Sequence, residues 1–190
     1  MRAFPTLLII ACLMSGASVA GPLEVLSARA SLAGSFTQTI VSPDGVELER
    51  AEGRFQLLRP HFFWWEIEEP DRQLLVAVDG QLTQIDWDLE VVSQRSFSSQ
   101  DRTVLQWLLA SREELEAAFN IQAQEQGVVL TAYYEGAPIP RMSIEHLPDT
   151  PRWRLALTDR AGQIIQLTLN EDVARHLGPV DFAVPSTDFD

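Results

Sequence analysis

The chain reads as an α+β protein in which a large antiparallel sheet, covered on one face by a few short helices, curls and encloses something. Three observations predict this. From Ser35 onward, apolar and polar residues alternate with period two in successive segments separated by Gly, Pro and Asp turns. Helical periodicity is confined to the start of the chain and to a short insertion between two runs of strands. The stretch Arg54 to Glu69 (Arg-Phe-Gln-Leu-Leu-Arg-Pro-His-Phe-Phe-Trp-Trp-Glu-Ile-Glu-Glu) carries more aromatic surface than a short hairpin needs. On a strand, His61, Phe63, Trp65 and Ile67 share one face, while Phe62, Trp64, Glu66 and Glu68 share the other.

Taken in order, Pro22, Leu23, Leu26, Ala30 and Ala33 predict an amphipathic helix with Pro in its first turn and Gly34 as its stop. Ser35 to Val41 is a strand, Ser42 to Gly45 a turn, and Val46 to Leu58 the return strand, which Pro60 ends. His61 to Glu68 follows, then a turn at Pro70-Asp71 and a strand from Gln73 to Val78. Asp79-Gly80 is a two-residue hairpin signal into Gln81 to Asp86, and a further strand runs from Glu90 to Phe97. Asp101 caps a predicted helix carrying Val104, Leu105, Leu108 and Leu109, with Trp107 on its flank. Ser111 and Glu114 form a capping box for a second helix through Phe119. Strands then resume at Ile121 to Gln124, Val128 to Tyr134, Arg141 to His146, Trp153 to Thr158 and Gln163 to Asn170. With no linker or repeat, residues 21–190 are expected to form a single domain.

Residues 1–20 read as a signal peptide: Arg2 is the basic end, Leu7 to Met14 the apolar run, and Ser18, Val19 and Ala20 a small-residue cleavage site. Ala3 to Ala20 as a spanning anchor, and lipidation at Cys12 after Ile9-Ile10-Ala11, are the alternatives. Cleavage after Ala20 removes the only cysteine and leaves 170 residues, enough for a sizeable core. All 14 basic residues are Arg, against 27 acidic ones, and loss of Arg2 takes the net charge from −13 to −14. Such a charge argues against nucleic acid as a partner and against adsorption to anionic lipid.

No catalytic constellation is visible. Lysine is absent, which excludes Schiff-base and Ser-x-x-Lys chemistry, and there is no Gly-x-Ser-x-Gly elbow. His61, His146 and His176 lack metal-ligand spacing. Glu66, Glu68, Glu69 and Asp71 read as an exposed acidic strand end, and no metal or cofactor is expected.

Three segments carry a resemblance: Gly34 to Ile40 (Gly-Ser-Phe-Thr-Gln-Thr-Ile), Gly53 to Trp65 with its Arg-Pro followed by aromatics, and Leu75 to Gly80 ahead of a strand. Phe182-Ala183-Val184-Pro185, with Asp188 after it, adds a closing segment. The chain thereby resembles the periplasmic outer-membrane lipoprotein carrier (LolA-like) proteins. That resemblance implies a curved antiparallel sheet forming an incomplete barrel lidded by short helices, and a non-enzymatic chaperone that shields lipoprotein acyl chains. Its implied partners are acylated lipoproteins, an inner-membrane ABC-type lipoprotein-releasing transporter as donor and an outer-membrane lipoprotein receptor as acceptor. The carrier itself is expected to be a periplasmic monomer. The resemblance also implies that Arg59 hydrogen-bonds lid backbone and controls opening, and that Phe63 is the aromatic needed for transfer, at the mouth or lining of the cavity. Phe36, Phe55, Phe63, Trp65 and Ile67 are the candidate acyl-cavity lining, with Leu105, Leu108 and Leu109 on the lid. Two other readings stay open: a lipid- or glycolipid-binding or sensing protein of the same fold, and a structural protein-binding sheet without ligand.

Overall fold

The structure, a computed structural model, describes residues 21–96, 107–147, 150–187 and 189. The signal-peptide and Cys12 expectations, the helix capped by Asp101, and the positions Phe97, Val104, Leu105 and Asp188 lie outside these residues.

Helix α1 (Pro22–Ala28) is followed by strands β1 (Ser31–Val41), β2 (Glu47–Leu58), β3 (Phe62–Glu69), β4 (Gln73–Val78), β5 (Gln81–Asp86) and β6 (Val91–Ser96). Helix α2 (Arg112–Ala118) leads into β7 (Phe119–Ala123), β8 (Gly127–Ala132), β9 (Arg141–Leu147), β10 (Arg152–Thr158) and β11 (Ile164–Glu171), and one 3₁₀ turn spans Pro179–Phe182. The strands form one eleven-stranded antiparallel sheet in the order β6-β5-β4-β3-β2-β1-β11-β10-β9-β8-β7, open between its edge strands β6 and β7. The predicted α+β class and incomplete barrel are what the chain adopts.

Local chemistry explains most of these elements. Asp79 (φ 49°) and Gly80 (φ 76°) both take the left-handed backbone that a two-residue hairpin between β4 and β5 requires. At the start of α2 the Ser111 side chain accepts from the Glu114 N–H at 3.2 Å, and the Glu114 carboxylate accepts from the Ser111 N–H at 2.8 Å. Two N–H groups without helical partners are thereby satisfied.

Both predicted helix ends move. Helix α1 ends at Ala28, and Leu32 and Ala33 belong to β1, where the Ser31–Leu58 and Leu32–Leu57 pairs extend the ladder with β2. Gly34 is not a helix stop: a Cβ there would lie 1.9 Å from the Asn170 carbonyl oxygen, so glycine lets β1 and β11 come together. Gly53 plays the same part at the β2–β3 bulge, where a Cβ would meet the Glu66 carbonyl oxygen at 1.9 Å. Phe119 leaves the helix and opens β7, paired with Ala132 and buried beneath the edge of Trp107.

Strand register puts Phe36, Phe55, Phe63 and Trp65 on the same concave face as Leu167, Leu169, Leu155 and Leu157. These residues join Leu23 and Leu26 of α1, Leu108 and Leu115 in one contiguous core. Burying the two α1 leucines stabilises its docking by roughly 1.5–3 kcal/mol each. The convex face has a smaller cluster of Leu74, Val76 and Ile85, against which Trp64, Trp87 and Phe189 pack. Phe182 reaches back to Phe62, with ring centroids 5.4 Å apart, so the C-terminal segment crosses the outside of β3 and β4.

Candidate functional site: a helical layer tied by Arg59 over an aromatic concave face

Arg59, at the end of β2, is half-buried and faces the helical layer. Its Nε donates to the Arg29 carbonyl at 3.0 Å, and Nη1 donates to the Ala110 carbonyl at 3.0 Å. Nη2 donates to the carbonyls of Leu26 at 3.2 Å and Leu108 at 2.6 Å. One guanidinium thus joins the C-terminal end of α1, where the Leu26 carbonyl also accepts the Arg29 N–H at 3.3 Å, to the segment before α2. Burial lowers the pKa of Arg59 from its ordinary value, and the Glu114 carboxylate acts against that shift. An arginine keeps its charge under such conditions, so the bonds are charge-assisted.

A second clasp joins the same layer from outside. Arg112 of α2 pairs with Glu24 of α1 and, at 2.6 Å, with Glu116 one turn along its own helix. The Arg112 hydrogen bond is the chief cause of a lowered pKa at Glu24, and the Glu24 backbone N–H adds to it.

Beneath the lid, the Trp65 ring lies 3.7 Å from that of Phe36 and 6.2 Å from those of Phe55 and Phe63, nearly parallel to the last. Phe55 and Phe63 are 0 and 1% exposed, so Phe63 stands inside the core and not at an open mouth. Ile67 and Leu109 are partly buried against this core and Leu108 is fully inside it, while Leu105 lies outside the described residues.

Open space lies further along the same concave face. A groove of about 830 Å³ runs between α1 and β7 to β9, walled by Pro22, Val25, Phe119, Ile121, Val128 and His146, with Glu24, Arg112 and Glu116 at its rim. A smaller apolar cavity of about 260 Å³ adjoins it across Phe119 and Tyr133 and reaches Trp107 and Ile139. Neither is lined by the predicted aromatics of β1 to β3. Sequence reasoning missed these wall residues. The available signal is the alternation that puts Ile121 and Val128 on one face, but the capping-box pattern carries the predicted helix through Phe119.

Glu66 corrects the acidic-cluster reading. It is 5% exposed, and its carboxylate accepts from Arg54 at 3.3 Å and from Arg72 at 2.8 Å. Two arginines therefore compensate a buried charge that was expected at an exposed strand end. Among the described residues, no group of three or more His, Cys, Asp or Glu is arranged to hold a metal ion.

The profile of the family described as outer membrane lipoprotein carrier protein LolA matches residues 27–177. The chain belongs to this family. An outer-membrane lipoprotein carrier protein of Aliivibrio fischeri (strain MJ11) is 40% identical over 73 residues, which are 36% of this chain and 36% of that protein. The chain thus matches only about a third of that relative's length. Its counterpart in Pseudomonas entomophila is 27% identical over 137 residues, 68% of this chain and 66% of the relative. Among solved structures, a LolA superfamily protein from Nitrosomonas europaea aligns with a TM-score of 0.44 and 12% identity, covering 86% of this chain and 96% of that one. Family members so named are lipoprotein carriers. Among the described residues no helix is long and apolar enough to cross a membrane.

Proposed function

We propose that this protein is a periplasmic carrier that takes acylated lipoproteins from an inner-membrane ABC-type transporter, shields their acyl chains, and delivers them to an outer-membrane receptor. Family membership supports lipoprotein cargo, and the observation that carries the mechanism is the four-carbonyl bridge made by Arg59. Removing one acyl chain of about sixteen carbons from a membrane costs on the order of 12 kcal/mol, at ~0.8 kcal/mol per CH₂, so the carrier must offer an apolar replacement. Phe36, Phe55, Phe63, Trp65 and Ile67 supply it, together with the groove beside α1, once Leu108 and Leu109 move away. Loading needs an ATP-driven donor because the chain has no energy source of its own.

The Arg59 bonds belong to the closed, empty state. They oppose loading and favour release, since a contact made in only one of two states shifts the balance by its full differential energy. At about 1.5–3 kcal/mol for one hydrogen bond to a charged group, the net worth of even one of the four displaces the equilibrium toward the loaded form by roughly ten- to a hundredfold on its loss. Arg59→Leu should therefore fold, load from the donor, and release to the acceptor slowly. Reconstituted transfer measures this, and a wild-type release rate would remove Arg59 from the lid mechanism.

The same reading has residues 1–20 directing export, with cleavage between Ala20 and Gly21. N-terminal sequencing of exported protein should begin at Gly21. A lipidated Cys12 at the N-terminus would instead make it a membrane-anchored protein.

A further inference from the structure

We propose that Glu171 is a positioning residue for the lid: acting through Arg29, it holds the α1–β1 link in the place where Arg59 can close on it. The proposal rests on the reading of Arg59 as the lid latch. Glu171 ends β11 on the concave face, 8% exposed, opposite Gly34 in register. Its carboxylate accepts the Trp153 indole N–H at 3.3 Å and faces the Arg29 guanidinium at 3.5 Å. A buried carboxylate must be compensated, and here one partner comes from the floor of the sheet and the other from the C-cap of α1.

Arg29 and Ala30 are gripped from two sides. The Arg29 side chain meets Glu171, the Arg29 carbonyl accepts from Arg59 Nε, and the Ala30 carbonyl accepts from the Arg59 backbone N–H at 2.9 Å. Helix α1 has seven residues, too few to hold its own geometry, so its orientation depends on how its ends are fixed. With the Arg29 side chain anchored, the carbonyls of Leu26 and Arg29 are turned toward the guanidinium of Arg59. The close approach of β1 to β11 at Gly34 fixes where the carboxylate stands. Glu171 is not among the groove walls, and a variant that keeps an acceptor for Trp153 isolates what it does through Arg29.

Hydrogen–deuterium exchange read by mass spectrometry on the exported chain tests this with Glu171→Gln, Arg29→Met and Arg59→Leu. Gln still accepts from Trp153 but ends the ion pair. Met retains the backbone carbonyl and ends the same ion pair from the more exposed side, leaving Glu171 its Trp153 hydrogen bond, so it gives a second, independent break of the pair. Both variants are expected to speed exchange over residues 22–30 and 107–111 by at least about fivefold, the low end for coupling between sites, while β2 to β4 are unchanged. In the Arg59→Leu background, Glu171→Gln should add nothing, because both act on the same carbonyls. Uniform acceleration across β1, β10 and β11, or an unchanged lid, would overturn the proposal. Acceleration by Arg59→Leu without acceleration by either other variant would overturn the role of Glu171 alone. No acceleration by Arg59→Leu would overturn the latch reading and this proposal with it.

Discussion

Phe63 shows how one side chain separates packing from carriage. In the closed protein it is 1% exposed, with its ring parallel to Trp65. Phe63→Glu therefore buries a carboxylate with no partner, at a cost of several kcal/mol against a total stability of about 5–15. We expect the thermal midpoint to fall by about 10 °C or more, with Phe63→Leu much closer to wild type. An unchanged midpoint for the Glu variant would mean that this position faces water and that the open form dominates. Arg59 behaves differently, because its side-chain partners are backbone carbonyls of the helical layer and their loss leaves the sheet's own ladders intact. The identities of both residues were legible in the motif Arg-Pro-His-Phe-Phe-Trp-Trp. The partners of Arg59 were not, since Leu26, Arg29, Leu108 and Ala110 offer main-chain oxygens that any residue type would supply.

Between elements, the lid is held by two clasps of different kinds: the half-buried Arg59 bridge and the exposed Glu24–Arg112 pair. The pKa of Glu24 is depressed in the folded state, chiefly by the Arg112 hydrogen bond. A depressed carboxylate contributes stability above its unfolded value of about 4.3, and that contribution is lost as pH falls through the folded value. The outer clasp should therefore hold unchanged from neutral pH to about pH 5 and loosen only below the ordinary glutamate range. NMR titration of the Glu24 carboxyl should give a midpoint below that range, and Arg112→Gln should return it toward the ordinary value. An ordinary midpoint in the unmodified protein would show that the clasp does not form in solution. Period and turn chemistry located these elements well, down to the capping box at Ser111 and the hairpin at Asp79-Gly80. Both boundary errors arose where the two periods coincide: Leu32 and Ala33 continue the spacing of α1 yet pair with β2, and Phe119 continues α2 yet pairs with β8. Long-range ladder pairing overrode local pattern in each case.

For the molecule as a whole, an unclosed eleven-stranded sheet offers one concave face, which the lid divides into a packed aromatic half and an open groove beside β7. The curl was legible from aromatic excess and strand number. The groove was not, because its walls come from α1, β7, β8 and β9, which meet only through sheet order. Nor was the cover over the convex face, since residues after Glu171 carry no period that predicts Phe182 against Phe62. The central claim is that the concave face exists to hold acyl chains, and the most direct test is mass spectrometry of the protein isolated from its own periplasm under non-denaturing conditions. The account predicts acylated lipoprotein bound to the carrier, with a larger share retained by Arg59→Leu. Protein that carries no acylated species in either form would contradict it.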